Sequence, residues 1–188
     1  MKIFVLILFW ISSLLVSCKD NCADTKKEIQ SLMKDLYKKK ISFPTDMQVL
    51  IDSSAINTKN TATGTSVLNK FTIVHFFTAD CDKCVNELLK IQSSLNKVAT
   101  DSSIDFMFIA SAPTKIYVLD AIKKINFPYP IYYEKHYYSF KTMNKLPLSD
   151  DLYNTMLLNN KQEVILFGAF YDNKKAERLY LKAIECGL

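Results

Sequence analysis

The chain is short of the residues that build linkers, repeats and metal clusters. Three glycines and five prolines in 188 residues leave no Gly- or Pro-rich segment, which excludes a collagen-like or low-complexity chain. No internal repeat is present, so a solenoid is excluded as well. Only two histidines occur, His75 and His136, and neither stands at ligand-like spacing from a cysteine pair. No metal site is therefore expected from the cysteines and histidines, although a thiolate carrier of copper(I) or zinc remains an alternative. A stripe of like charge is also missing. The formal net charge is +5, and basic clusters such as Lys38-Lys39-Lys40 are balanced by acids elsewhere. That is a solvated surface, and no nucleic-acid partner is expected. The length suits one domain with a substantial core and is short for two.

What is present begins with an apolar run. Lys2 is followed by Ile3 to Leu15 almost without a polar break, short of the roughly 20 residues that a membrane-spanning helix needs. A basic residue, an apolar stretch and small residues after it have the layout of a signal segment. Leu15-Val16-Ser17-Cys18 resembles the bacterial lipobox. The resemblance implies a lipoprotein signal peptide over 1–17, cut before Cys18, and lipidation of Cys18. It places the chain in the bacterial cell envelope, anchored and extracytoplasmic; a plain transmembrane anchor is the alternative. More than one acyl chain would make that attachment stable. Residues 18–24 then read as a lipid-anchored tether and 25–188 as the folded domain. Cys18-Lys19-Asp20-Asn21 is similar to the short Lys/acid tags of some surface-exported lipoproteins, which favours the outer membrane. An ordinary hydrophilic tether explains those four residues equally well.

Setting Cys18 aside leaves Cys22, Cys81, Cys84 and Cys186. An even number suits a compartment where disulfides persist. Cys22 and Cys186 lie near opposite ends of the mature chain and are candidates for one bridge, worth on the order of 4–5 kcal/mol by loop entropy. Two free thiols are the alternative, with Cys22 in the tether.

Hydrophobic periodicity sets out the elements. Thr25-Lys26-Lys27-Glu28 fits a capping box, and Ile29, Leu32, Met33, Leu36 and Tyr37 form one helical face behind it, ended by Ser42-Phe43-Pro44. Met47 to Ile51 suits a short strand, and 57–66 is a polar loop. Phe71 to Phe77 (FTIVHFF) is apolar on both alternating faces, as a central covered strand requires. From Cys84 onward Val85, Leu88, Leu89, Gln92 and Leu95 share a helical face until Asp101-Ser102-Ser103. Ile104 to Ala110 is a second buried strand; Pro113-Thr114 opens a helix carrying Val118, Leu119, Ile122 and Ile125. Tyr129 to Tyr133 makes a third strand. Thr155 to Leu158 and Val164 to Ala169 form a hairpin, and a helix capped by Asp172 or Asn173 closes the chain. This order predicts an α/β fold with a mixed sheet, parallel where strands and helices alternate and antiparallel at the hairpin. The aromatic-rich stretch Phe127 to Phe140 reads as core packing around a strand, with a peptide-binding surface as the alternative.

The pair Cys81-Asp82-Lys83-Cys84 falls where the FTIVHFF strand gives way to a helix. A helix start presents unpaired N–H groups and the positive end of the macrodipole, which stabilise a thiolate at Cys81. Cys84, one turn on, can attack a mixed disulfide formed there. A permanent structural disulfide is the plainer reading. His75 lies on the strand face of Phe71, Ile73 and Phe77 and reads as a core residue.

IVHFFTADCDKCVNELLKIQ, with Phe76-Phe77, Ala79, Cys81, Cys84 and Glu87, resembles the active-site strand, turn and helix of thioredoxin-like proteins, most nearly the TlpA/ResA type of membrane-tethered thiol–disulfide oxidoreductases. The resemblance implies a thioredoxin-like mixed β-sheet flanked by helices, here with an extra N-terminal helix. It implies catalytic Cys81 and Cys84, with Glu87 tuning proton transfer. It further implies protein thiol or disulfide substrates, an external redox partner and no bound cofactor. Element order is similar over roughly 65–185, while the specific match is confined to 71–89. The chain departs from the family in three places. Thr78 to Asp80 lack its Trp, Leu88-Leu89 replace a Pro, and Tyr153-Asn154 stand where a cis-Pro normally precedes the hairpin. The substrate groove is expected at Asn154 and Thr155; either Pro147 reaches it through a longer loop, or the groove differs from the family's. A non-catalytic interaction lipoprotein of the same fold is the alternative that this last departure leaves open.

Overall fold

A computed structural model describes residues 22–50, 70–98 and 104–188. The expected signal peptide, the lipidation site at Cys18, the 57–66 loop and the Asp101-Ser102-Ser103 break lie outside the described residues. The elements are α1 (22–33), β1 (Gln48–Leu50), β2 (Phe71–Thr78), α2 (Asp82–Val98), β3 (Ile104–Ser111), α3 (Lys115–Ile125), β4 (Ile131–Tyr133), α4 (Ser139–Met143), β5 (Thr155–Asn159), β6 (Val164–Phe167) and α5 (Lys174–Glu185). A 3-10 turn, Lys34–Leu36, ends α1, and another, Asp151–Asn154, leads into β5.

The strands form one six-stranded sheet in the order β1-β4-β3-β2-β5-β6. β2 is central, buried at six of its eight positions. It pairs in parallel with β3 along its whole length, from Phe71 beside Ile104 to Thr78 beside Ser111. Its other side pairs antiparallel with β5. β3 and β4 are parallel, whereas β1 on β4 and β6 on β5 are antiparallel. The outer edge of β6 is closed by the chain after α1: Lys38 N–H donates to Val164 O at 2.8 Å and Ile41 N–H to Gln162 O at 2.9 Å.

Strand alternation divides the core into two layers. Phe71, Ile73 and Phe77 face α2, α3 and α5, packing with Val85, Leu88, Ile91, Leu95, Val118, Ile122, Leu179 and Tyr180. Val74 and Phe76 face the opposite layer, with Ile41, Ile109, Phe140, Leu146 and Met156. The aromatic stretch contributes to both, Phe127 to the first and Phe140 to the second.

Several local expectations shift by a residue or a face. α1 is already helical at Cys22, so Thr25 is a buried residue within it rather than a cap. The reason is tertiary: a disulfide ties Cys22 to Cys186, just past the end of α5, with the Cα atoms 5.5 Å apart. Residues 22–24 are thus helix. Leu32, Leu89 and Leu119 were expected on buried helix faces and are exposed. In α2 the buried stripe is Val85, Leu88, Ile91 and Leu95, which leaves Leu89 on its flank, 44% exposed. Of the two candidates for the last cap, Asn173 serves: its side chain accepts from Lys175 N–H at 2.8 Å and Ala176 N–H at 3.4 Å. Among the described residues no helix is long and apolar enough to cross a membrane.

Candidate functional site

β2 ends at Thr78, and Ala79 N–H still bonds Ser111 O at 2.9 Å, which holds the departing chain over the end of β3. Two residues later Cys81 O accepts the first α2 hydrogen bond, from Val85 N–H at 3.0 Å. Cys81 is therefore the N-cap, and its sulfur takes the capping role: Cys84 N–H donates to Cys81 Sγ at 3.2 Å. A hydroxyl oxygen normally occupies that place. Cys81 and Cys84 are joined as a disulfide, both half-buried. Thr78 Oγ1–H donates to Cys84 Sγ at 3.4 Å. Each sulfur thus has one protein donor. Donors of this kind favour negative charge on sulfur once the bond is reduced.

The charges around the pair are mostly held by partners. Tyr137 O–H donates to Asp80 Oδ2 at 2.9 Å. Asp82 pairs with Lys124 at 3.0 Å and Lys83 with Asp151 at 3.6 Å, all four exposed and weakly bound. Glu134, fully buried, directly follows β4. Its Oε2 accepts from Phe140 N–H at 2.7 Å and from Ser139 Oγ at 2.9 Å, fixing the start of α4.

Glu87, one turn beyond Cys84, is half-buried. Burial and the nearby Asp151 push its carboxyl pKa up, with Lys83 opposing them. It keeps its proton to higher pH than an ordinary carboxyl group does, the property needed to hand one to a departing thiolate.

Of the three groove residues, Thr155 is fully buried at the start of β5 and Asn154 closes the 3-10 turn before it. Pro147 is exposed in the loop after α4, and all peptide bonds among the described residues are trans. The segment directly before β5 is instead Asp151–Asn154, packed on β2, β5 and β6. Asp151 is the residue of this segment that reaches α2, through Lys83. Buried Lys141 secures the approach, its Nζ donating to Leu148 O at 3.1 Å and Asp150 O at 3.5 Å beside the Phe76 ring.

Behind the site, His75 Nδ1 lies 2.9 Å from Thr155 Oγ1, and Thr155 bonds the Tyr171 hydroxyl. With the proton on Nδ1, His75 donates to Thr155 and Thr155 donates to Tyr171. Tyr171 is in turn close enough to feel the Glu87 charge. Burial pushes the His75 pKa down to about 3, with Lys141 adding to the shift. Because its folded pKa is depressed, the unfolded chain binds the extra proton below pH ~6.5. Stability is then complete above that pH and falls as pH drops toward 3. Between pH 7.5 and 4.5 the native chain should lose about 2–3 kcal/mol more than His75→Gln. Urea unfolding at the two pH values measures this; equal losses would exclude a buried neutral His75. His136 lies apart, exposed, 3.8 Å from Asp46.

No local pattern marks Thr78, Asp151 or Tyr171 as site residues, and Tyr137, in the stretch expected to pack in the core, is instead 46% exposed beside Asp80. Thr78 has only its position, as the last residue of a strand aimed at the cysteines. The others arrive from distant segments with no spacing to mark them.

A mixed sheet with this strand order, helices on its faces and a C-x-x-C disulfide at the start of the helix after the central strand is a thioredoxin-like fold. Solved structures agree. The chain matches over 81% of its length with 99% of a Chlorobium tepidum protein assigned as the thiol:disulfide interchange protein DsbE (TM-score 0.54, 9% identity). It matches over 80% with 97% of a thioredoxin-like protein in the oxidised form (TM-score 0.53, 12% identity). A third, the C-terminal domain of a Bacteroides thetaiotaomicron protein assigned as a thiol–disulfide oxidoreductase, is covered to 99% by 78% of this chain (TM-score 0.50, 15% identity). At such identities the likeness establishes the fold. No family model and no curated protein matches the chain.

Proposed function

We propose that the protein is a lipid-anchored, extracytoplasmic thiol–disulfide oxidoreductase acting on protein thiols and disulfides through Cys81 and Cys84. The observation that carries the reading is the Cys81–Cys84 disulfide at the N-cap of α2, with a protein donor on each sulfur. The Leu15-Val16-Ser17-Cys18 stretch supports the anchor, and two disulfides in one chain suit an oxidising compartment.

In the reductase direction the Cys81 thiolate attacks one sulfur of a substrate disulfide. A Cys81–substrate bond forms, the substrate S–S bond breaks, and one substrate thiolate leaves. The Cys84 thiolate then attacks Cys81 Sγ, releasing the second substrate thiolate and closing Cys81–Cys84. Two electrons pass to the substrate. Glu87 supplies a proton to a leaving thiolate and recovers it from water or from Cys84 as its thiol ionises. An external dithiol partner re-reduces the pair; the oxidase direction runs the same steps backward.

Cys84→Ser removes the resolving thiol, so the intermediate should accumulate. Incubation with cell-envelope proteins should yield dithiothreitol-sensitive adducts linked through Cys81. If no adduct forms while Cys81 remains alkylatable, the non-catalytic reading takes over.

A further inference from the structure

The two cysteine pairs sit at opposite ends of the central strand. At the start of β2, Lys70 lies against Gly187, the residue after Cys186, so closely that a Cβ at Gly187 would run into its side chain. Cys186 is bonded to Cys22, which places the first described residue at this same end. The β5–β6 turn is here too, since Asn159 pairs with Phe71. At the far end of β2, Thr78 bonds Cys84. The seven steps from Phe71 to Thr78 separate these ends by about 23 Å.

α1 is fixed rigidly at the Cys22 end. The disulfide holds it to α5, Glu28 pairs with Lys175 and Arg178 at 3.5 and 3.8 Å, and Ile29 is fully buried in the core. Cys18 is four residues before Cys22, so the two Cα atoms lie within about 14 Å along any path of the chain. An acyl group at Cys18 therefore tethers one particular end of the domain.

We infer that the Cys22–Cys186 end faces the bilayer and the Cys81–Cys84 end faces outward, so that the redox partners are water-exposed cysteines of proteins standing clear of the membrane rather than thiols at its surface. This rests on the lipid anchor proposed above. The outward end also offers a polypeptide an exposed ring: Tyr137, 46% exposed, bonds Asp80, the residue before Cys81.

The test uses the acylated full-length chain on phosphatidylethanolamine/phosphatidylglycerol vesicles doped with a nitroxide-headgroup phospholipid, a short-range quencher. A fluorescent side chain is introduced either at Lys161, exposed in the β5–β6 turn, or at Lys83, exposed beside the cysteines. Quenching at position 161 should exceed that at 83 by at least threefold. Equal quenching, or stronger quenching at 83, overturns the orientation. Flotation of the same vesicles reads the anchor separately. Protein that fails to float overturns both anchor and orientation, while adduct trapping with Cys84→Ser judges the redox chemistry independently of either.

Discussion

Cys81→Ser should reduce disulfide exchange to the uncatalysed background while leaving the domain folded. Exchange requires a thiolate, and an ordinary thiol with a pKa of about 8.5 is already a few per cent ionised at neutral pH. Position at the α2 N-cap and the Cys84 N–H at 3.2 Å favour that ionised form further. A serine hydroxyl can still accept the capping hydrogen bond, so helix and fold should survive. It cannot ionise near neutral pH, and the first bond to substrate does not form. Cys84→Ser should behave differently, keeping the first step and stalling at the second. The contrast is measurable with a small disulfide substrate and a protein substrate in parallel. Full exchange activity in Cys81→Ser would show the mechanism to be wrong.

The second large effect is on stability. The double replacement Cys22→Ser with Cys186→Ser should cost on the order of 4–5 kcal/mol, because that bridge spans 164 residues and restricts the unfolded chain strongly. It also ties α1 to α5 in the folded state, beside the Glu28 ion pairs. Removing the Cys81–Cys84 bridge, with a sequence separation of 3, should cost only about 2 kcal/mol by the same relation. Urea midpoints under non-oxidising and oxidising conditions distinguish the two. If the long-range double variant unfolds at the native midpoint, the bridge contributes nothing to stability. Peptide masses with and without reductant would show directly whether the 22–186 linkage forms.

The element order was readable from local pattern. FTIVHFF is apolar on both faces because β2 has neighbours on both sides and helices over it, and that doubly covered environment leaves a signature within seven residues. The helix stripes were readable to within one side chain. Leu32, Leu89 and Leu119 went the other way because the apolar arc of each helix is wider than the strip that the sheet covers. The start of α1 was not readable at all. A capping box at Thr25 competes there with a disulfide to a residue 164 positions away, and the covalent tie belongs to the fold rather than to the local sequence.

For the site the division is sharper. The sequence by itself determined that Cys81 stands between a buried strand and an amphipathic helix, with Glu87 a turn beyond Cys84. Strand and helix periodicities are local, and their junction sets the helix start. Only the tertiary structure decided what surrounds the pair: Asp151 reaching Lys83 of α2 from the pre-β5 segment, Thr78 bonding Cys84, and Tyr171, Thr155 and His75 linked behind Glu87. The His75–Thr155 contact joins segments brought together by sheet pairing, since the two residues register beside each other. No spacing along the chain encodes such a meeting. It follows from the packing of β2 against β5.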